Sequence, residues 1–158
     1  MEKQIQPFDT RAGFQEQLRA CISRAHLSLQ LFDPDFAAWQ LGSSEMDGLL
    51  RHFLSKHGRL TLLAHSNAEL ERNAPRFQRL LRDYSHAIEC RRSSPALRLL
   101  TDSFCIADQL HVVRRYHSDH FRGEAVYDSA TDTQVCGERY AEMWAESMPG
   151  LSADTTGL

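Results

Sequence analysis

Three times before Arg92 the chain repeats one unit, in which an amphipathic helix is followed by a short apolar strand. Apolar residues spaced three and four apart predict the helices, and short apolar runs such as 27–32 and 60–64 predict the strands. Units of this kind join parallel strands by right-handed crossovers. The sequence therefore predicts an α/β fold, a layered sandwich with a mixed, mainly parallel central sheet flanked by helices.

The rest of the chain has a different pattern. Short apolar runs separated by turns predict neighbouring strands at 103–108, 111–116 and 124–127. A closing helix follows, and its spacing directs Tyr140, Met143 and Trp144 toward the core. We therefore expect these later strands to extend the same sheet.

Length, cysteine spacing and charge limit the class of protein. The 158 residues suit one domain, which we assign to 1–150, followed by a flexible tail at 151–158. The 4 cysteines lie far apart, as is typical of reduced thiols, and no apolar run is long enough to cross a membrane. We expect a cytoplasmic protein without a membrane partner. A net charge of -3 argues against nucleic acid as a partner, because proteins that bind it cluster Lys and Arg.

The order of elements over residues 10–147 resembles one repeat of the phospholipase D superfamily, whose signature is His, one residue, Lys, four residues and Asp. Asp108 stands at the position of the family's Asp, but Thr101 stands at that of its nucleophilic His and Ser103 at that of its phosphate-binding Lys. The Gly-Ser-x-Asn turn of the family is also missing. A phosphohistidine mechanism needs an imidazole nucleophile and a cation. The resemblance thus implies a phospholipase D-like domain with a degenerate active site.

The resemblance also implies how the chain assembles. Single-repeat members of that family tend to form homodimers, so we expect a homodimer. The stretches 32–34 (Phe-Asp-Pro) and 120–123 (His-Phe-Arg-Gly) are similar to bacterial domains of unknown function that occur alone or beside acetyltransferase domains. An acetyltransferase is therefore a candidate protein partner.

The most polar stretch of the chain covers residues 114–122, and its candidate anion-binding residues are Arg114, Arg115, His117, His120 and Arg122. Guanidinium groups that converge can bind a phosphate or carboxylate with paired hydrogen bonds. Alternatively, adjacent strand residues face opposite sides, and each arginine pairs with a surface acid. Imidazole and carboxylate groups in the 117–120 loop have the chemistry of zinc ligands, but a surface turn accounts for them equally. We expect no metal and no cofactor.

Polar residues also follow the predicted strands, at the edge where open α/β sheets place a ligand crevice. The expected cleft is lined by Asp33, His65, Arg91, Thr101, Ser103 and Asp108. The alternative is that Asp35 and Asn67 at this edge only cap the helices that follow.

These patterns favour a non-catalytic binding or assembly module with an anion pocket. The alternative is a hydrolase that acts on a phosphorylated or acidic small substrate through Asp33, His65, Asp108 and the 117–120 loop. Neither Ser103 nor Ser118 lies in a Gly-x-Ser-x-Gly turn, so the sequence assigns no serine nucleophile.

Overall fold

The computed structural model describes residues 2–153. Within this range the strands are β1 (Gln4–Phe8), β2 (Ser28–Asp33), β3 (Arg59–Ala64), β4 (Ile88–Arg92), β5 (Ser103–Ala107), β6 (His111–Arg115), β7 (Gly123–Tyr127) and β8 (Met148–Pro149). The helices are α1 (Arg11–Arg24), α2 (Ser44–Ser55), α3 (Ala68–Asn73), α4 (Pro75–Asp83) and α5 (Ala130–Ala145), with a 3₁₀ turn at Pro95–Leu97.

All of these strands join one sheet, in the order β1-β7-β6-β5-β2-β3-β4-β8. The predicted α/β fold with a mixed central sheet flanked by helices is confirmed. The sheet is less parallel than expected, however, because parallel pairing is confined to β2 with β3 and β3 with β4. The other pairs are antiparallel. The turns that join β5, β6 and β7 are too short for the crossover that a parallel pair needs.

Helices cover both faces of the sheet and create two cores. The larger core contains the apolar stripe of α1 with residues of α2 and α4, including Phe14, Leu18, Leu50 and Phe77. The smaller core lies under α5, where Tyr140 and Met143 are buried as the closing helix predicts. Because strand residues alternate between faces, the buried strand β5 contributes to both cores.

Local sequence explains where the helices begin. Thr10 starts α1, since its Oγ1 accepts a hydrogen bond from the Gly13 amide at 3.0 Å. Pro75 occupies the first turn of α4, where the missing N–H costs nothing. None of the helices between residues 2 and 153 combines the length and the apolar character needed to cross a bilayer.

The predicted tail falls partly inside the described range. Leu151 is only 3% exposed and packs in the larger core, and residues 154–158 lie outside the described residues. The ordered part of the chain therefore continues past residue 150.

Candidate functional site

Asp33, the last residue of β2, is a buried carboxylate with donors on both oxygens. Its Oδ1 accepts from Ser103 Oγ at 2.5 Å and from Trp39 Nε1 at 3.0 Å. Its Oδ2 accepts from the amides of Asp35 at 3.0 Å and Phe36 at 2.7 Å. Burial raises the pKa of Asp33 above its ordinary 3.8, and these hydrogen bonds act in the opposite direction.

The strand register explains why Asp33 meets Ser103. Phe32 of β2 lies opposite Phe104 of antiparallel β5, so Asp33, one residue after Phe32, and Ser103, one residue before Phe104, are neighbours on the other face of the sheet. Asp33 is 2% exposed and Ser103 is 0% exposed. Ser103 therefore stands behind Asp33, away from solvent.

Arg115 is the buried arginine of the polar stretch. Its Nε donates to the carbonyl oxygen of His120 and its Nη2 to that of Ser118, each at 2.6 Å. Its guanidinium lies 4.1 Å from the ring centroid of Phe121, and burial lowers its pKa. Arg115 thus holds the loop between β6 and β7 in place through backbone carbonyls.

The histidines and the aspartate of that loop are exposed and contact their neighbours within it. His117 Nδ1 lies 2.7 Å from Asp119 Oδ1, and His120 Nδ1 accepts from the Arg122 amide at 3.1 Å. In the part of the chain that the structure describes, no group of three or more His, Cys, Asp or Glu residues is arranged to hold a metal ion. The loop has the contacts of a surface turn.

Arg114, whose side chain alternates with that of Arg115 along β6, borders a cavity of about 470 Å³ beside the start of β5. The cavity, called here the Arg114 cavity, is lined by Leu99, Leu100, Thr101, Asp102, Arg114, Arg115, Tyr116 and Arg139. Asp102 accepts two hydrogen bonds from Arg139, at 2.7 and 3.1 Å, and so neutralises that guanidinium.

The charge of Arg114 has no such partner. Its guanidinium lies 5.7 Å from the Tyr116 ring centroid. Glu124 is its cross-strand neighbour, yet none of the ion pairs found between residues 2 and 153 includes Arg114. The residues that line the Arg114 cavity therefore include Thr101 and a guanidinium that forms no ion pair among the described residues.

His65 lies elsewhere, just past β3. Its Nδ1 is 2.5 Å from Ser93 Oγ and its Nε2 is 2.7 Å from the carbonyl oxygen of Leu100. Ser93 is 0% exposed, so a substrate does not reach this hydroxyl. The imidazole joins β3 to the segments that follow β4.

Arg91 and Asp108 hold the ends of other strands. Arg91 Nε donates to Ser147 Oγ at 2.6 Å, which fixes the segment before β8. Asp108 stands at the opposite end of β5 from Ser103, and its Oδ1 accepts from the amides of Leu27 at 2.7 Å and Ser28 at 3.0 Å. Asp108 thus binds backbone amides, and Arg91 binds both the hydroxyl and the carbonyl oxygen of Ser147.

The structure thus distributes the predicted cleft residues over several places. Asp33 meets Ser103, and Thr101 and Arg114 line one cavity. His65 contacts Leu100, the residue before Thr101, whereas Arg91 and Asp108 lie elsewhere. Sequence reasoning missed Arg139 and Asp102, whose pairing joins residues far apart in the chain and leaves no local pattern.

The alternative of simple helix caps does not describe this edge either. Asp35 Oδ1 accepts from the Ala37 amide at 3.0 Å, in a turn rather than at the start of a helix. Asn67 directly precedes α3, but its side chain makes no capping hydrogen bond.

Comparison with known proteins identifies the architecture. A family model described as "Domain of unknown function (DUF7931)" matches residues 10–152. The structure is similar to that of Nuc, a phospholipase D family member from Salmonella typhimurium, with a TM-score of 0.70 and 14% identity over 96% of this chain and 100% of that one. It is also similar to NucT from Helicobacter pylori, with a TM-score of 0.65 and 11% identity over 94% of this chain and 100% of that one.

A third likeness is to TrmBL2, described as an archaeal chromatin protein, with a TM-score of 0.67 and 11% identity over 95% of this chain and 55% of that one. No curated protein matches the sequence. At these identities the likenesses show the fold alone, and the predicted phospholipase D-like fold is confirmed.

Proposed function

Because the chain belongs to the DUF7931 family and has the fold of phospholipase D family members, we propose that it is a non-catalytic binding module that takes an anionic group in the Arg114 cavity. The observation that carries the proposal is the unpaired guanidinium of Arg114 in the same cavity as Thr101. A phosphate or a carboxylate is the chemistry that such a cation recognises.

The groups at the degenerate catalytic positions support a binding role. Thr101 brings a hydroxyl to the place where the resemblance puts a nucleophilic imidazole, and the residues that line the Arg114 cavity include no histidine. Ser103 is uncharged, unlike the lysine of the family, and its hydroxyl already donates to Asp33, so it offers a phosphate neither a cation nor a free donor. Chemistry through a phosphohistidine would lack both its nucleophile and its cation.

The geometry of the cavity suits an acceptor ligand. Arg114 presents a planar fork of N–H donors and Thr101 a hydroxyl, while Arg139 is already neutralised by Asp102. The polar part of a ligand would lie on these groups. Tyr116, which is 43% exposed, offers an aromatic wall beside them.

The alternative hydrolase needs Asp33, His65 and the 117–120 loop in one cleft, and only part of this set is together. Asp33 shares a cavity with Ser118 and Asp119 of that loop, but His65 borders a different cavity. His65 already faces a carbonyl oxygen and a buried hydroxyl. The non-catalytic role is therefore the better account of the arrangement.

Calorimetric titration with inorganic phosphate tests the proposal. Arg114→Gln should weaken phosphate binding by about tenfold, since it removes a charged hydrogen-bond donor. Arg79→Gln, at an exposed position of α4, removes the same charge outside the cavity and should leave binding unchanged. The purified wild type should not hydrolyse bis(p-nitrophenyl) phosphate.

Two results would contradict the proposal. One is phosphate binding that is unchanged in Arg114→Gln, and the other is diester turnover by the wild type that Thr101→Ala abolishes. The homodimer and the acetyltransferase partner stay predictions, and sedimentation equilibrium of the purified chain decides the first of them.

A further inference from the structure

A second cavity, of about 530 Å³, lies between the carboxyl end of β2, the first turn of α1 and the loop that joins β6 to β7. Its volume is within the usual range of small-molecule sites. It is called here the Arg115 cavity, and the lining residues that matter are Arg11, Asp33, Asp35, Arg115, Asp119 and Phe121.

The guanidinium of Arg115 is a buried donor group that the protein uses only in part. The residue is 7% exposed, and its Nε and Nη2 donate to carbonyl oxygens of the loop, whereas its Nη1 donates to no described residue. Among the side chains of residues 2–153 that are not exposed, the polar atoms that reach neither solvent nor a hydrogen-bond partner belong to Asp47, Asn67 and Ser94. Arg115 is outside that set, so its Nη1 is open to solvent and within reach of a ligand.

Aromatic contacts place this guanidinium on the α1 side of the sheet, beside the cavity. The Cζ atom of Arg115 lies 5.6 Å from the ring centroid of Phe14 in α1 and 4.1 Å from that of Phe121. The Cζ atom of Arg11 lies 4.8 Å from the same Phe121 ring. Two guanidinium groups therefore contact one ring of the cavity wall, and neither forms an ion pair among the described residues.

Arg115 is buried without a bonded counterion. Burial is the main cause of its lowered pKa, and Asp33 is the carboxylate that opposes this effect most. Yet each oxygen of Asp33 already accepts two hydrogen bonds, and none of them comes from Arg115. A cation removed from water is costly unless an anion pairs with it, so an anion bonded to Nη1 would be stabilised.

Exposed carboxylates at the same cavity restrict which anion fits. Asp35 forms no ion pair within residues 2–153, and its Oδ1 accepts from the Ala37 amide at 3.0 Å. Asp119 lies beside His117, with Oδ1 and Nδ1 2.7 Å apart. Both carboxylates would repel a phosphate dianion and attract an ammonium group. A ligand that carries both charges therefore suits the cavity better than a simple anion.

We propose that the Arg115 cavity binds a small zwitterion with the chemistry of an α-amino acid. The ligand carboxylate accepts from Arg115 Nη1 and pairs with Arg11, and the ligand ammonium lies at Asp35 and Asp119. Arg115 borders both this cavity and the Arg114 cavity, but side chains 114 and 115 alternate along β6. The site is therefore separate from the anion site proposed at Arg114.

NMR titration of the ¹⁵N-labelled full chain tests this proposal through the Nε–H signal of Arg115 and the amide signals of residues 33–38 and 115–121. The probes are L-alanine, propionate, ethylammonium and inorganic phosphate. L-Alanine should shift these signals to saturation. Propionate lacks the ammonium group and ethylammonium lacks the carboxylate, so each should bind at least about tenfold more weakly than L-alanine.

Two variants at exposed positions test the two halves of the site. Arg11→Gln should weaken the binding of L-alanine by about tenfold, because it removes a partner of the carboxylate. Asp35→Asn should weaken L-alanine binding similarly without weakening propionate binding, and it keeps the Oδ1 that accepts from Ala37. Arg79→Gln is the control and should bind L-alanine like the wild type. The dispersion of each spectrum verifies that the variant is folded.

The proposal is overturned if L-alanine causes no saturable shift of these signals, or if propionate or phosphate shifts them at concentrations as low as L-alanine does. Arg114→Gln separates the two proposed sites, because it should weaken phosphate binding at the Arg114 cavity and leave L-alanine binding unchanged. If Arg114→Gln weakens L-alanine binding as much as Arg11→Gln does, the zwitterion does not bind where we place it and the proposal fails.

Discussion

Ser103 Oγ donates a 2.5 Å hydrogen bond to Asp33 Oδ1, which joins the first residue of β5 to the last residue of β2. Both side chains are removed from solvent, and the indole of Trp39 donates to the same carboxylate oxygen. The pair therefore fixes the junction between the parallel and antiparallel halves of the sheet. Ser103, at the position where the resemblance puts a cationic lysine, is thus part of the protein interior.

The buried carboxyl of Asp33 should make stability depend on pH. Burial raises its pKa above 3.8, so the folded state binds the proton more tightly than the unfolded state does. The stabilisation that this tighter proton binding gives the folded state is fully present below pH 3.8, the ordinary pKa, and is lost as the pH rises through the pKa of folded Asp33. Urea unfolding of Asp33→Asn should therefore show a smaller loss of stability with rising pH than the wild type.

The control for this measurement is Asp9→Asn, which removes one negative charge at an exposed position. It should preserve the pH dependence of the wild type. Identical slopes of stability against pH in Asp33→Asn and the wild type would mean that Asp33 does not titrate as described.

Gly123 should tolerate no side chain. A Cβ atom there would collide with the Arg114 carbonyl oxygen and lie 2.6 Å from the Phe8 ring. Gly123→Ala should lower the free energy of unfolding by about 1–3 kcal/mol, as forced overpacking does. Gly48→Ala is the matched control, because nothing lies within 4 Å of its Cβ position in α2. It should stabilise the protein by about 0.5–1 kcal/mol, and equal effects at both sites would refute the collision.

The thiols should react only after unfolding. Cys21, Cys90, Cys105 and Cys136 are all buried, and burial raises the pKa of Cys90 to about 12. The thiolate is the reactive form, so the native protein should consume Ellman's reagent slowly. Denaturant should release all four thiols, and fast reaction of any one of them in native buffer would show that its surroundings open.

The elements that local patterns predicted are those with regular apolar spacing. The stripe of α1 and the apolar run of β3 bury large surfaces, and burial imposes the period that the sequence displays. Strand β1 was missed because its residues are mostly exposed, so no apolar alternation marks it. The two-residue β8 is too short to show any pattern.

The site was harder to predict than the fold because its contacts depend on strand register. Asp33 and Ser103 are brought together by an antiparallel strand pair that no local sequence pattern indicates, whereas the sequence predicted a mixed, mainly parallel sheet with one shared edge. The sequence named Arg114 as one of five candidate anion-binding residues, and that role stays a prediction. The divergence of Arg114 from Arg115 follows from the alternation of side chains along β6.

Strand β1 has a consequence for how the chain folds during its own synthesis. It pairs with β7, with Gln4 opposite Tyr127. During synthesis β1 therefore cannot pair until β7, more than a hundred residues later in the chain, has been made. A ribosome must release most of the domain before this edge of the sheet can close, and non-local pairing of this kind is slow. Until then Gln4–Phe8 is a strand edge that a chaperone could shield, and Pro7 within it limits pairing with other chains.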